Sequence, residues 1–359
     1  MLKIFKLTCI NIIVFLFLYL LVEISTGNFL FNKKEKLDCS YLLCDRKMIF
    51  KNVSLNKKAQ NYDVLYTKDK FGFRGRKKNL DKIDILTIGG STTDERFLKI
   101  EDTWSEKLEK KFEIIYQNFD VVNAGIDGQS TNGHLWNFTN WFNKIENFKP
   151  KYIIFYIGVN ERLSSHVTLY KKSNLVDNGN DFSNLGIFKK VEFFLKKNNG
   201  LTYKAYILLY RSFFLKDEHN VGHNNLRKKI DYIKPFEKIE ISDLTKEAFI
   251  NNMKKLNEYS LRLDAKPIFV TQKTRRGFKR KNQIYSISTS DYYEYEKEVS
   301  DIIISFCKKH SIYCVNLNEK LDFDEHDTYD LVHVTPSGAE KIANIIFENT
   351  RNYIKPYNN

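Results

Sequence analysis

Several well-known sequence motifs are missing from this 359-residue chain. None of its 15 glycines is followed by Lys and then Ser or Thr, which excludes a phosphate loop of the Walker type. The dinucleotide fingerprint G-x-G-x-x-G is also absent, and the five cysteines show no C-x-x-C spacing typical of a zinc site. The sequence contains no internal repeat and no low-complexity tract. We therefore expect a globular protein without a metal or other cofactor.

The positive charge is large but dispersed. Lysine and arginine number 58 against 44 aspartates and glutamates, which leaves a formal charge of +14. Such a charge invites a nucleic-acid interpretation. The lysines are nevertheless scattered, and the one tight basic cluster lies at Arg275, Arg276 and Lys279–Lys281. We expect no nucleic-acid partner, and a general attraction to anionic polymers or membrane surfaces is the better interpretation.

The N-terminus carries a long apolar run. Leu7–Val22 has no charged residue, and with the apolar residues just before it the run reaches roughly the 20 residues that a helix needs to cross a bilayer. No cleavage site follows clearly, so residues 1–27 are interpreted as an uncleaved signal anchor, although cleavage stays open. Lys3 and Lys6 before the run and Glu23 after it favour export of the remaining chain. The prediction is a single-pass protein of the cell membrane whose main domain is extracytoplasmic.

Four of the cysteines form two close pairs, Cys39 with Cys44 and Cys307 with Cys314. In an exported domain these pairs are candidates for disulfides. The two pairs could also cross-link to each other, and free buried thiols are a further possibility. The pairing is left open.

Strand and helix patterns alternate along most of the chain. The strand-like runs are Ile83–Ile88, Phe119–Asn123, Tyr152–Ile157, Pro267–Thr271 and Ile312–Asn316. The helical patterns are Thr103–Phe112, Asn132–Ile145, Ser290–His310 and Pro336–Asn352. Continuously apolar strands that alternate with amphipathic helices predict an α/β fold with a parallel sheet covered on both faces.

Three regions are predicted after the anchor. Residues 28–79 are a polar, lysine-rich lead-in segment, and residues 80–355 form the α/β domain. Within that domain, residues 162–265 are interpreted as a helical insertion. Its aromatic residues at helical spacing, as in Leu201–Phe214, are more typical of core than of a binding surface.

Polar or glycine-rich loops follow the strands. Because the carboxyl ends of parallel strands meet at one edge of a sheet, we expect these loops to converge. Ser91 follows Gly89 and Gly90, whose missing side chains leave room at the turn. His333 lies just before the last helix, and a histidine, with an unperturbed pKa of about 6.5, suits proton transfer near neutrality. Asp330 lies three residues earlier and can orient the imidazole, so the set predicts a nucleophile, a base and an orienting carboxylate.

An oxyanion hole completes this chemistry. The predicted donors are the backbone N–H groups of Ser91 and Gly125 and the side-chain amide of Asn160. Alone, each of these residues is better explained as a helix cap, a turn residue or a surface loop. The catalytic interpretation is favoured because they follow successive strands, in order, within one α/β alternation.

Four short blocks carry a resemblance. "IGGSTT", "NAGIDG", "GVNE" and "DLVHVTPSG" resemble the four blocks of the SGNH hydrolases, the GDSL-type esterase and lipase superfamily. Ser91, Gly125, Asn160 and His333 match its four eponymous residues, and Asp330 matches the aspartate of its Asp-x-x-His element. The resemblance covers about residues 68–352, and "FGFRG" also resembles membrane-anchored bacterial members. Gly-Gly-Ser replaces the usual Gly-Asp-Ser, and Gly-Val-Asn-Glu the usual Gly-x-Asn-Asp, which indicates a subgroup and disfavours simple lipase-like substrates.

The resemblance implies a three-layer α/β/α, flavodoxin-like fold and a serine esterase or O-acyltransferase. Resemblance to anchored members further implies O-acyl, and in particular acetyl, groups on envelope or extracellular glycans as the substrate. It implies no cofactor. The alternative is a non-catalytic glycan-binding or polysaccharide-assembly protein that has kept the fold.

Neighbouring side chains receive weaker predictions. His134 is assigned to a helix surface, with entry into the cleft as the alternative. Asp94 and Glu95 are expected to face solvent or to cap the next helix. Thr271 and Gln272 could line the pocket. Arg275 and Arg276 could contact an anionic group, with a solvated loop as the simpler interpretation.

Overall fold

The computed structural model describes residues 2–27, 37–55, 61–75, 79–161, 200–202, 205, 209, 218–221, 241, 243–275, 277–280, 283–286, 292–324 and 326–357. The chain divides into two compact units. The first comprises Met1–Lys36 and Asn178–Lys216, and the second comprises Leu37–Asp177 and Asp217–Asn359.

The first unit contains helix α1 (Leu2–Thr26). Most of its apolar side chains between Ile10 and Val22 are exposed. Glu23, by contrast, is buried and accepts hydrogen bonds from the backbone N–H and the hydroxyl of Thr202, at 3.0 and 3.1 Å. Within the part of the chain that the structure describes, no helix is both long enough and apolar enough to span a membrane. The signal anchor stays a prediction.

The second unit contains the remaining elements. Its strands are β1 (Lys47–Val53), β2 (Tyr62–Thr67), β3 (Ile83–Gly89), β4 (Val121–Asn123), β5 (Pro150–Ile157), β6 (Glu218–Asn220), β7 (Lys266–Thr271), β8 (Gly277–Arg280), β9 (Gln283–Ser286) and β10 (Tyr313–Val315). Its helices are α2 (Cys39–Leu42), α3 (Ser91–Asp94), α4 (Trp104–Glu113), α5 (Thr131–Asn140), α6 (Asp243–Arg262), α7 (Tyr292–His310), α8 (Leu317–Lys320) and α9 (Pro336–Thr350). Short 3-10 turns lie at Ile100–Asp102 and Phe142–Lys144.

A five-stranded parallel sheet forms the centre of this unit, in the order β10-β7-β5-β3-β4. From β3 the chain adds β4 on one side of the sheet and then β5, β7 and β10 on the other, as in flavodoxin-like folds. The central strand β3 pairs with β4 at Leu86↔Val122 and with β5 at Leu86↔Ile153. The prediction of a central parallel sheet is confirmed.

Helices cover both faces of this sheet. One apolar cluster joins alternate residues of β5, such as Phe155, to α5, α6 and α7. The other cluster joins the intervening residues, such as Ile154, to α4 and α9. All seven residues of β3 are buried. This double coverage explains why the central strands read as continuous apolar runs in the sequence.

The lead-in segment contains two strands that its sequence pattern does not indicate. Strands β1 and β2 pair antiparallel, and β6 joins β1 in parallel to make a second sheet, in the order β2-β1-β6. Phe50, Val53 and Val64 of this sheet are buried in the cluster that includes α4 and α9. Only part of each strand is buried, so polar residues interrupt the apolar pattern.

Other segments also differ from their predictions. The helix predicted to reach Ile145 ends at Asn140, because Trp141 leaves the helical conformation and its buried indole donates to Phe71 O. The last part of the predicted insertion forms α6, which buries Phe249, Met253 and Leu256. Most of Leu201–Phe214 lies outside the described residues.

Disulfides join Cys39 to Cys44 and Cys307 to Cys314. Of the pairings left open by the sequence, the structure therefore contains the two local ones.

Candidate active site

The serine and the histidine are held by helix starts that follow directly from the sequence. Ser91 is the first residue of α3, immediately after β3 and Gly90. His333 lies just before α9, whose N-cap is Thr335 and whose first residue is Pro336. The Thr335 hydroxyl donates to His326 O at 2.7 Å and accepts from Gly338 N at 3.4 Å. Because proline has no N–H to satisfy and a fixed φ, this start is rigid.

Ser91, His333 and Asp330 form a hydrogen-bonded relay. Ser91 Oγ lies 2.8 Å from His333 Nε2, and His333 Nδ1 lies 2.7 Å from Asp330 Oδ2. Asp330 Oδ1 accepts the backbone N–H groups of Val332 and His333, at 2.7 and 2.6 Å. The side chains of His333 and Asp330 are 30% and 26% exposed, so substrate could reach them.

The pKa of Asp330 lies below its ordinary value. Burial raises this pKa, but the hydrogen bond and charge of His333 and the two backbone N–H groups together outweigh burial. An ionised Asp330 accepts a hydrogen bond from the N–H at His333 Nδ1, which leaves the lone pair of Nε2 directed at the Ser91 hydroxyl. Tyr329 stacks on the imidazole with ring centres 5.7 Å apart and restricts its rotation. The arrangement can therefore take a proton from Ser91.

Two of the three predicted oxyanion donors, the N–H of Ser91 and the amide of Asn160, lie at the turn that carries the Ser91 hydroxyl. Within the described residues, no acceptor binds the N–H of Ser91. The amide nitrogen of Asn160 donates to Gln129 O at 2.9 Å, and a Cβ on Gly90 would approach that nitrogen to 2.3 Å. The absence of a side chain at Gly90 thus lets the Asn160 amide reach the turn that carries Ser91.

Gly125, the third predicted donor, packs closely against the nucleophile turn. Its N–H donates to Asn123 Oδ1 at 2.9 Å, so in this structure that hydrogen is already bonded. A Cβ at Gly125 would lie 2.3 Å from Asp94 N, which means that the second block packs against the backbone of α3 and requires glycine there. Gly125 is therefore a close-packing residue in the structure, and its part in the oxyanion hole stays a prediction.

Beneath α3 lies a buried charged cluster that the sequence did not reveal. Asp94 is 1% exposed and accepts from the Tyr66 hydroxyl at 2.7 Å. Lys68 Nζ lies 3.4 Å from Asp94 Oδ1 and donates to Gly125 O at 2.8 Å. Arg74 donates to Asp94 O at 3.2 Å. The lead-in thus supplies two buried cations that tie α3 to the second block.

The prediction that Asp94 and Glu95 face solvent is wrong, since both are buried. The alternative of helix capping describes Glu95, which accepts the N–H of Trp104 at the start of α4 at 2.8 Å. Asp94 is buried because basic groups surround it. One of these, Arg96, also reaches Asp127 of the second block at 2.8 Å.

Glu161, the departure from the usual Asp in the third block, bonds to the first residue of α5. Its carboxylate accepts the backbone N–H and the hydroxyl of Thr131, at 2.6 and 3.0 Å. Burial raises the pKa of Glu161 to about 7 despite these bonds. The group is therefore partly protonated near neutral pH.

His134 lies neither on a helix surface nor in the cleft, and both of these predictions are wrong. It is 1% exposed, and its Nδ1 lies 3.2 Å from Gln129 Oε1. Burial lowers its pKa to about 3, so this imidazole stays neutral.

Thr271, the last residue of β7, and the residues after it bond to neighbouring segments of the site and do not line an open pocket. The Thr271 hydroxyl accepts Asn318 N at 2.9 Å and so holds α8. Gln272 is 6% exposed and bonds to Val159 and Thr92. Arg275 donates its backbone N–H to Leu331 O at 3.0 Å, whereas Arg276 lies outside the described residues.

Lys68, Arg74 and the connections made by Gln272 were not predicted from the sequence. The only signal was the block "FGFRG", since Arg74 lies within it and Lys68 shortly before it. Nothing in the local sequence distinguishes Lys68 from the many exposed lysines. No group of three or more His, Cys, Asp or Glu that could hold a metal occurs among the described residues.

No protein-family model and no curated protein matches the sequence. Among solved structures, the chain is similar to an acetylxylan esterase from Geobacillus stearothermophilus, with 12% identity over 76% of this chain and 96% of that one and a TM-score of 0.41. It is also similar to a member of the lipolytic G-D-S-L family from Veillonella parvula, with 14% identity, coverage of 74% and 96%, and a TM-score of 0.39. A GDSL-like lipase from Bacteroides thetaiotaomicron gives 13% identity, coverage of 77% and 92%, and a TM-score of 0.37.

These structures are named as an esterase, a GDSL-like lipase and a G-D-S-L family member, and the sequence blocks resemble the same superfamily. Because the identities and TM-scores are low, that resemblance rests on the four blocks and on the geometry of the site. The blocks place Ser91, Asp330 and His333 at matching positions, and the structure brings their side chains into one hydrogen-bonded relay.

Proposed function

We propose that this protein is a serine esterase of the SGNH type. One observation carries the proposal: Ser91 Oγ lies within hydrogen-bond distance of His333 Nε2, while His333 Nδ1 bonds to Asp330. Such a relay activates a hydroxyl that is otherwise a weak nucleophile. A serine that only caps a helix would need neither partner.

The first half of the proposed reaction forms an acyl-enzyme. Ser91 Oγ attacks the ester carbonyl carbon as its proton passes to His333 Nε2, and the carbonyl oxygen becomes an oxyanion. The N–H of Ser91 and the amide of Asn160 are placed to stabilise that charge. The C–O bond to the alcohol then breaks, and the alcohol oxygen takes the proton from His333.

In the second half, His333 takes a proton from water as the water oxygen attacks the acyl carbon. The bond between the acyl carbon and Ser91 Oγ then breaks, Oγ takes the proton from His333 Nε2, and the free acid is released. If a sugar hydroxyl replaces water in this step, the same residues perform acyl transfer. The geometry serves both reactions, because the acceptor only has to occupy the position of the leaving alcohol.

The finer proposal concerns substrate and location. We propose O-acyl groups, acetyl above all, on envelope or extracellular glycans as the substrate, with the N-terminal sequence, residues 1–27, as the attachment to the cell membrane. The support is the resemblance of the four blocks and of "FGFRG" to anchored bacterial hydrolases, together with the uncharged apolar run Leu7–Val22 in the sequence. Comparing glycan acetylation in cells that carry wild-type protein or Ser91→Ala tests the substrate. Protease added to spheroplasts tests the location, since an extracytoplasmic domain is then accessible and is digested.

The test of the activity itself uses the purified full-length chain. We expect hydrolysis of an aryl acetate and covalent labelling by a fluorophosphonate, with both lost in Ser91→Ala. Ser300→Ala is the control, because it removes a different buried hydroxyl, which bonds within α7. Absence of both hydrolysis and labelling in a folded wild-type sample would favour the alternative of a non-catalytic glycan-binding protein. Adding a glycan acceptor then separates transferase from hydrolase, because only a transferase diverts the acyl group from water.

A further inference from the structure

Gln272 lies at the end of β7 and touches two loops of the candidate site. Its Oε1 accepts the backbone N–H of Val159 at 2.7 Å. Its Nε2 donates to the Thr92 hydroxyl, also at 2.7 Å. Val159 immediately precedes Asn160, and Thr92 immediately follows Ser91. One side chain therefore connects the neighbours of the nucleophile and of the oxyanion asparagine.

The orientation of this amide is fixed by its partners. Val159 can offer only an N–H, so the oxygen of Gln272 must face it, because the reverse orientation would oppose two donors. The hydroxyl of Thr92 then accepts a hydrogen bond from the amide nitrogen of Gln272. Gln272 and Thr92 are 6% and 8% exposed, so water is a poor substitute for either bond.

The segment after Gln272 is itself well anchored. Thr274 donates its backbone N–H to Glu296 of α7 at 3.1 Å, and its hydroxyl bonds to the same carboxylate. Arg275 donates its N–H to Leu331 O at 3.0 Å, within the loop that carries Asp330 and His333. Residues 272–275, which directly follow β7, thus contact the nucleophile turn, the third block and the loop that carries His333.

We propose that Gln272 is a positioning residue that sets the distance between the Ser91 nucleophile and the Asn160 oxyanion donor. This inference rests on the proposed function. An oxyanion forms between these two groups, and its stabilisation depends on donors held in place before the reaction. A side chain bonded to both neighbours keeps that gap constant, although it does not touch the reacting atoms. Loss of the connection should therefore weaken stabilisation of the transition state more than binding of the ester.

The test is a double-mutant cycle with Gln272→Met and Thr92→Val in the full-length chain. Both changes keep the side-chain volume and remove hydrogen bonds. We expect kcat for an aryl acetate to fall by about tenfold to a hundredfold in Gln272→Met, with KM changed less than about twofold, since displacements of about 1 Å can cost that much. Thr92→Val should lower kcat in the same direction. The double variant should fall no further than Gln272→Met, because both changes cut one connection.

Thr350→Val is the matched control, since it removes another buried threonine hydroxyl, which bonds only within α9. We expect it to leave kcat unchanged. Melting temperatures separate positioning from folding: a purely structural role would lower the melting temperature without lowering kcat. If Gln272→Met does not fold, Thr92→Val alone decides by its kcat.

The outcomes distinguish this inference from the function on which it rests. An active wild type with unchanged kcat in folded Gln272→Met and Thr92→Val overturns the positioning role alone. Independent, additive losses in the cycle also overturn it. An inactive wild type contradicts the proposed esterase, and the positioning role with it.

Discussion

Asp330 uses its two carboxylate oxygens for different purposes. Oδ1 accepts the N–H groups of Val332 and His333 and so shapes the loop. Oδ2 accepts from His333 Nδ1 and so decides which nitrogen of the ring carries the proton. A substitution that changes only Oδ2 can therefore separate folding from chemistry.

Asp330→Asn is that substitution. Its remaining oxygen can still accept both backbone N–H groups, so we expect little change in the free energy of unfolding. Its amide nitrogen would donate to His333 Nδ1 and leave the proton on Nε2, which could then no longer take the proton of Ser91. We expect kcat for an aryl acetate to fall on the order of 10³- to 10⁴-fold.

The matched control is Asp324→Asn in the same loop region, where the exposed carboxylate pairs with Lys341. It should retain kcat. Equal activity of Asp330→Asn and wild type, in folded samples, would exclude the assigned role of Asp330.

Lys68 shows how much a single buried charge can stabilise this site. Its side chain is 3% exposed and contacts Asp94 and Gly125 O. We expect Lys68→Met to lower the free energy of unfolding by about 1–3 kcal/mol, because Gly125 O loses its buried hydrogen-bond donor. Asp94 keeps its contacts with Tyr66 and Arg96, so its charge is not left without a partner. Urea denaturation measures this change.

Lys51→Met is the comparison, since Lys51 pairs with Glu218 at 2.5 Å on the surface, where both side chains are well exposed. Exposed pairs contribute little, so no measurable change is expected there. Similar effects of the two substitutions would show that burial of Lys68 does not determine its contribution.

Two buried titratable groups with opposite pKa changes lie at helix α5: His134 within it, and Glu161, which bonds to its first residue. Burial raises the pKa of Glu161 from 4.5 to about 7, so the folded state binds this proton more tightly than the unfolded state. The stability gained in this way is present at low pH and is lost as pH rises from about 4.5 to 7. Burial lowers the pKa of His134 from 6.5 to about 3, so its contribution is lost as pH falls from about 6.5 to 3. Between about pH 4.5 and 6.5 the two effects oppose each other.

Removing either group should therefore expose the other. Between pH 4.5 and 7 the titration of Glu161 lowers the free energy of unfolding of the wild type by about 3 kcal/mol. Glu161→Gln removes this decrease, so the free energy of unfolding of the variant should rise with pH relative to wild type by that amount. His134→Asn should change the pH dependence in the opposite direction by a similar amount, because it removes the titrating imidazole. The asparagine amide nitrogen can still donate to Gln129, which keeps that hydrogen bond. Urea denaturation at four pH values between 4.5 and 7.5 gives the curves. Parallel curves for wild type and both variants would contradict this account.

The central elements of the fold could be predicted because burial on both faces leaves a simple pattern. In β3 and β5 nearly every residue is buried, and the sequence accordingly shows unbroken apolar runs. Strands β1 and β2 were missed because they are only partly buried and carry lysine or aspartate among their apolar residues. A short polar strand of this kind is recognised by its partner, and the partner β6 lies far along the chain.

The site divides in the same way. Ser91, Asp330 and His333 were found because each belongs to a short local block at a strand or helix end. The bonds of Gln272 join positions that are 113 and 180 residues away in sequence. No local pattern encodes such contacts, since a buried glutamine and an exposed one look alike until the fold brings their partners together.

At the scale of the whole molecule, the two disulfides connect structure with location. Cys39–Cys44 closes the turn around α2, and Cys307–Cys314 joins α7 to β10. Their sequence separations of 5 and 7 residues make both loops short. The constraint on the unfolded chain is therefore modest, and each bond is expected to contribute about 2 kcal/mol. Such bonds persist in oxidising compartments and are rare in the cytosol.

We therefore expect protein isolated from cells under thiol-blocking conditions to give linked peptides for Cys39–Cys44 and for Cys307–Cys314, with no link between the two pairs. Mass spectrometry of unreduced digests measures this directly. Reduction should lower the free energy of unfolding, and Cys39→Ser with Cys44→Ser should account for about half of the loss because the loops are similar in length. Fully alkylated cysteines in folded protein would contradict both the pairing and the proposed extracytoplasmic location. Cross-linked pairs in active protein would contradict the pairing alone, since they too require an oxidising compartment.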